Sequence, residues 1–245
     1  MQLYILIFGL CICATTTGCF LYFRINKGGI CGLFSKTIAS VSFVVFALLL
    51  SFSKMQVAYN NGLAIAFLIS GLVCGLVGDI LLDLKVMYQF HEKSYLKAGI
   101  CSFLFGHIFY IIAIAIVCSY NFALFSATRI IILSSMILGS IVLSILIWIF
   151  TKKAMNFDYN NNALLVNLYS TILLFTTAFS IFMTANILSL QNILLSVGLI
   201  SFLASDLVLS LQYFGGKQDS KNLTIVNHIL YYIAQILIAS FIFFI

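Results

Sequence analysis

Eight apolar stretches, each about twenty residues long, leave this 245-residue chain few ways to fold. They run near 2–23, 33–53, 62–84, 98–118, 129–150, 163–186, 192–213 and 223–245. A helix of about 20 residues crosses the hydrocarbon core of a bilayer. Inside that core every backbone N–H and C=O needs an internal partner, which leaves helices or closed barrels. The runs lack sustained alternation and are too long for barrel strands, so the expected fold is an all-α membrane protein with eight transmembrane helices. The breaks are short and polar, such as Asn60-Asn61-Gly62 and Asn160-Asn161-Asn162. None reads as a flexible linker, so residues 1–245 are expected to form a single multi-pass domain. The chain has no proline, so helix ends must depend on Gly, Asn and Ser.

Composition excludes several classes of function. Hydrophobic residues make up 63% of the chain and charged ones 7%, far from the balance of a soluble enzyme. The net charge of +6 does not point to nucleic acid, because the basic residues are spread over short loops. With eight spans, Arg24, Lys27, Lys36, Lys85, Lys93, Lys97, Lys152, Lys153, Lys217 and Lys221 share one face, against Lys54 and Arg129 on the other. That bias makes the rich face cytoplasmic and both termini non-cytoplasmic, with a bacterial inner membrane as the expected location. The seven cysteines lie mostly in apolar segments, form no CxxC pair and read as packing residues. Cys11-x-Cys13 and Cys19 do not make a lipoprotein signal, since no basic residue precedes them and another apolar segment follows closely. The first segment is expected to be a retained helix.

Against this apolar background, one polar signature occurs twice. Asp79 sits in Gly78-Asp79-Ile80-Leu81-Leu82 and Asp206 in Ser205-Asp206-Leu207-Val208-Leu209. Downstream of each, a His precedes a Tyr by three residues, in Gly106-His107-Ile108-Phe109-Tyr110 and Asn227-His228-Ile229-Leu230-Tyr231. The eight residues from Gly106 and from Asn227 share five identities. The duplication pairs helix 3 with helix 7 and helix 4 with helix 8, giving repeat halves of about 1–122 and 123–245. Four helices per half make the halves parallel, about an axis along the membrane normal.

Ionisable groups in hydrocarbon are costly and mark functional sites. Asp79 and Asp206 should both lie about 10 Å inside the basic face. Asn227, His228, Tyr231 and Gln235 share that depth, with His107 and Tyr110 nearer the midplane. Asp79 and Asp83 share a helix face, as do His228 and Tyr232. Gly71, Gly75 and Gly78 form a small-residue stripe that admits a neighbouring helix beside Asp79. Blander roles are available: Asp83 pairing with Lys85 or water, the histidines as interhelical hydrogen bonds, and Tyr231, Tyr232 and Gln235 as packing and polar support. Asp79 and Asp206 fit such roles least, because no interior Lys or Arg is expected to neutralise them. Two carboxyls in one low-dielectric chamber cannot both ionise cheaply, so one is expected to carry a proton. Such a pair suits acetal-like cleavage through an oxocarbenium ion.

At these residues the chain resembles the lysoplasmalogenase family, the YhhN-like eight-helix membrane proteins. The resemblance runs over most of the length and is strongest in helices 3–4 and 7–8. The family's G-D-x-x-L is here Gly78-Asp79-Ile80-Leu81-Leu82, and its G-H-x-x-Y is Gly106-His107-Ile108-Phe109-Tyr110. Its S-D is Ser205-Asp206, and its Y-[YW]-x-x-Q is Tyr231-Tyr232-Ile233-Ala234-Gln235. Tyr169 stands where the family often has a Tyr. The family's Lys-Pro at the start of helix 2 is here Lys36-Thr37, a departure.

The resemblance implies hydrolysis of the vinyl ether bond of lysoplasmalogens, giving a fatty aldehyde and a glycerophospho-ethanolamine or -choline, without a cofactor or metal. Asp79 and Asp206 are the expected acid and base, with either role open to either residue because the repeat makes their surroundings similar. Lys36 is the expected phosphate contact. Asp83, His107, Tyr110, Tyr169, Asn227, His228, Tyr231, Tyr232 and Gln235 are the expected supporting residues. The partners are then a lysophospholipid substrate and membrane lipids. Two other readings use the same residues: a zinc-dependent lipid amide or ester hydrolase built on the His and Asp side chains, and a small transporter.

Overall fold

The computed structural model describes residues 2–54, 61–121, 124, 126–159, 162–216 and 220–245. Asn60, Asn160, Asn161 and Lys217, used in the sequence reading, lie outside the described residues. The chain is all-helical: α1 (Gln2–Asn26), α2 (Gly29–Lys54), α3 (Gly62–Met87), α4 (Glu92–Asn121), α5 (Ala127–Ala154), α6 (Ala163–Asn186), α7 (Leu190–Tyr213) and α8 (Lys221–Phe244). A short 3₁₀ turn, Gln89–His91, precedes α4. All eight helices are long and apolar enough to cross a membrane, so the chain is an integral multi-pass membrane protein.

Several helices outrun the apolar segments that announce them. α4 begins at Glu92 rather than near 98, and α5 continues through Lys152 and Lys153 to Ala154. Hydropathy locates the part of a helix in hydrocarbon, whereas Lys and Glu are good helix formers that extend it beyond.

Helices adjacent in sequence pack as neighbours, α1 on α2, α3 on α4, α5 on α6 and α7 on α8. α2 also packs against α3 and α8, and α6 against α4 and α7. α8 is the most enclosed helix and α5 the least, with 61% and 11% of their apolar windows buried. α5 therefore presents Ile131, Leu138 and Phe150 outward, as a lipid-facing helix does. The glycine stripe on α3 works by close approach. A Cβ on Gly71 would overlap the Tyr110 ring, and one on Gly78 would stand 2.6 Å from Phe103, both on α4.

Local turns decide which side chains reach the interior. Gly28 and Gly29 have φ of +59° and +51°, values that L side chains rarely adopt. Gly28 N–H donates to Phe23 O at 3.0 Å, closing α1 and reversing the chain into α2. Arg24, at the end of α1, and Lys36, early in α2, therefore lie at the same end of the bundle. Ser189 and Ser220 cap α7 and α8, accepting from Asn192 N–H and Leu223 N–H at 3.4 Å.

Candidate active site

A cavity of about 460 Å³ opens at the basic end of the bundle, where α1, α3 and α7 finish and α2, α4 and α8 begin. Asp79, Asp206, Lys36, Asn227, His228 and Tyr231 all line it. Asp79 is eight residues from the end of α3 and Asp206 seven from the end of α7, so both lie roughly 10–12 Å inside.

Asp79 is held on three sides. Lys36 Nζ stands 3.2 Å from its Oδ1, and the Ser40 and Tyr231 hydroxyls donate to its Oδ2 at 2.6 and 2.7 Å. These donors come from α2 and α8. The Tyr232 hydroxyl stands 3.0 Å from Ser40 Oγ and donates to Lys36 O at 3.2 Å, so it braces both of Asp79's α2 partners.

The expectation that no Lys or Arg would neutralise the interior acids is overturned at Asp79. Lys36 is 5% exposed, and its ammonium lies between Asp79 and Asp83, at 3.2 and 3.3 Å. Arg24 completes the cluster by pairing with Asp83. Two cations thus face two carboxylates, and desolvation is offset inside one neutral group. Asp83 is buried in this cluster rather than paired with Lys85. Lys85 instead reaches Glu92 at 3.4 Å and lies 3.9 Å above the Tyr213 ring.

Asp206 has different surroundings. Its carboxyl group accepts a hydrogen bond from the Tyr169 hydroxyl of α6, and no Lys or Arg among the described residues is paired with it. The sequence reading took the two acids to have similar surroundings, and the packed helices make them unlike.

His228 donates from Nδ1 to Thr224 O at 2.7 Å, because a carbonyl can only accept. Its Nε2 is left as the acceptor, on a residue lining the cavity. Asn227 accepts from Ser205 Oγ at 2.7 Å, tying α8 to α7 beside Asp206. The residues nearer the midplane behave otherwise. His107 is buried away from the cavity, between Phe202, Tyr110 and Tyr169 with ring centroids 4.6–5.9 Å apart, and neither ring nitrogen has a protein partner. Tyr110 donates to Gln235 Oε1 at 3.3 Å, linking α4 to α8. Among the described residues, no three His, Cys, Asp or Glu side chains are arranged to hold a metal ion.

Ser40, Arg24 and Tyr213 escaped the sequence reading. Ser40 had a readable signal, because it follows Lys36 by four residues and so shares its helix face. Arg24 looked like a loop charge, because its partner Asp83 lies 59 residues away on another helix.

Fold and site together define a class: a polytopic membrane protein with an acid-lined chamber at one end of its helical bundle. The YhhN family model matches residues 31–242. The chain belongs to that family, the family of the lysoplasmalogenases, and membership points to a membrane hydrolase-like function. Comparison with curated proteins and with solved structures finds no match.

Proposed function

We propose that the protein hydrolyses the vinyl ether bond of lysoplasmalogens, with Asp206 as general acid and Asp79 as its basic counterpart. One observation carries the reading. The two carboxyl groups line a single cavity, Asp79 held by a cation and two hydroxyl donors and Asp206, among the described residues, by the Tyr169 hydroxyl.

Asp206 gives its proton to the distal alkene carbon, and positive charge develops at the ether carbon as an oxocarbenium ion. The Asp79 carboxylate, held in place before reaction, stabilises that charge. Water adds to the ether carbon and passes a proton to Asp79, forming a hemiacetal. Collapse breaks the bond between this carbon and the glyceryl oxygen, which takes the proton from Asp79. The hemiacetal hydroxyl returns its proton to Asp206 as the aldehyde leaves. Both carboxyl groups end as they began. His228 and Tyr231, both on the cavity wall, orient the water in this reading. Lys36 contributes its charge mainly through Asp79 and Asp83, while Lys85 and Lys221, also on the cavity wall, face the substrate phosphate. The basic end is then the cytoplasmic one.

The test is aldehyde release by purified, detergent-solubilised protein from a lysoplasmalogen and from its saturated ether analogue. The expected result is aldehyde from the first alone. Absence of aldehyde from both, with protein shown to be folded, overturns the proposal. Turnover without a sealed vesicle also excludes transport as the explanation.

A further inference from the structure

A second cavity, of about 120 Å³, adjoins the first. It lies between α4, α5, α6 and α7, and its walls include Ile100, Ile147, Val166, Leu173, Leu174 and Leu203. Leu82, Phe103, Asp206, Leu209 and Tyr213 border both spaces. Asp206 is the one carboxyl group in that shared wall, and Tyr169, its donor, lines the apolar side.

The groove offers few free polar groups. The Thr151 and Tyr159 hydroxyls bond each other at 2.6 Å, and Ser210 donates to Leu207 O at 2.7 Å. At one end the Tyr159 ring packs on Phe214 at 4.9 Å, and Asp158 N–H donates to Phe214 O at 3.0 Å, so residues 158 and 159 pack against the groove's Phe214 wall. The other direction runs along α6 past Leu173 and Leu174, which sit ten and eleven residues after Ala163, roughly 15 Å into the helix.

We propose that this groove holds the first carbons, roughly six by its volume, of the single hydrocarbon chain of a lysolipid whose headgroup occupies the polar chamber, with the chain starting against Asp206. The proposal rests on the reading of the reaction given above, and it adds where the chain lies and which residues measure it. A chain moving from bilayer to groove exchanges one apolar surrounding for another, so the groove contributes alignment rather than affinity. Alignment is what proton transfer to a particular carbon requires. Hydrocarbon in the groove and phosphate among Lys85 and Lys221 leave the bond between chain and headgroup to cross the shared wall at Asp206.

The test uses the intact protein and a non-hydrolysable probe, a single-chain alkyl ether lysophosphocholine with a diazirine about five carbons along the chain. After irradiation, labelled peptides are mapped. The expected labels fall on α6 at Leu173 and Leu174 and on α7 near Leu203. Leu174→Trp, which fills the groove, is expected to lower that labelling at least tenfold, whereas Leu138→Trp on the lipid-facing side of α5 leaves it unchanged. Labels spread over exposed α5 positions, or groove labelling indifferent to Leu174→Trp in folded protein, overturn the proposal. Turnover of lysoplasmalogen without groove labelling sinks this inference and leaves the reaction standing. Groove labelling with no turnover supports the chain site and sinks the reaction.

Discussion

Asp79 and Asp206 occupy matching places in a repeated sequence signature, yet the folded protein treats them differently. Asp79 belongs to a buried ionic cluster with Lys36, Asp83 and Arg24 and accepts two further hydroxyl donors. Asp206 stands on the wall between a polar and an apolar cavity and accepts from Tyr169. The difference comes from neighbours rather than from the helices that carry the acids. α2 brings Lys36 and Ser40 to α3, and α6 brings Tyr169 to α7. A repeated signature that supplies two carboxyl groups can thus place them in two environments once the neighbouring helices differ.

That contrast can be broken by mutation, beginning with the acids. Asp206→Asn should reduce aldehyde release about a thousandfold, within the range general acids contribute, with little change in thermal stability. Asp79→Asn should also stop turnover and lower the melting temperature, because it removes one of the anions facing Lys36. Equal stability of the two variants would contradict the contrast.

Removing the cation probes the cluster itself. Lys36→Met leaves two buried carboxylates facing one arginine and should cost about 3–5 kcal/mol, the usual penalty for breaking a buried pair from one side. Chemical denaturation of the detergent-solubilised protein measures it, and a cost below about 1 kcal/mol would mean the cluster is far more hydrated than its burial indicates. Gly71→Ala pushes a methyl group into the Tyr110 ring and should cost about 1–3 kcal/mol, as overpacking does.

The tyrosines give the smallest effects and the sharpest comparison. Tyr169→Phe deletes Asp206's hydroxyl donor and should lower kcat roughly tenfold, about 1.4 kcal/mol in the barrier, with KM little changed. Tyr231→Phe removes one donor of three around Asp79 and should lower kcat less. A larger loss from Tyr231→Phe would reverse the assignment of acid and base.

Much of this protein was legible before folding was considered. Spans of about twenty apolar residues leave α-helix as the conformation that satisfies their backbone in hydrocarbon, and acids placed inside such spans must face something other than lipid. The positions of Asp79 and Asp206 in their helices therefore located the chamber, and the offsets of Asn227, His228 and Tyr231 put them on its wall. What stayed hidden were relations between helices distant in the chain. Lys36 and Asp83 are 47 residues apart, and Tyr231 and Asp79 are 152 apart. A side chain's sequence neighbours do not reveal which helix will stand across from it. His107 shows the cost, because its motif marked it for the site and packing enclosed it among aromatic rings instead.

Sequence alone decided that this chain crosses a membrane eight times and carries its acids at one end, because hydrocarbon tolerates unpaired backbone and charge poorly. Only tertiary structure decided that one acid is bound by a buried lysine and the other borders an apolar groove. Burial and charge compensation are properties of contacts between helices, and those contacts exist only once the bundle has closed.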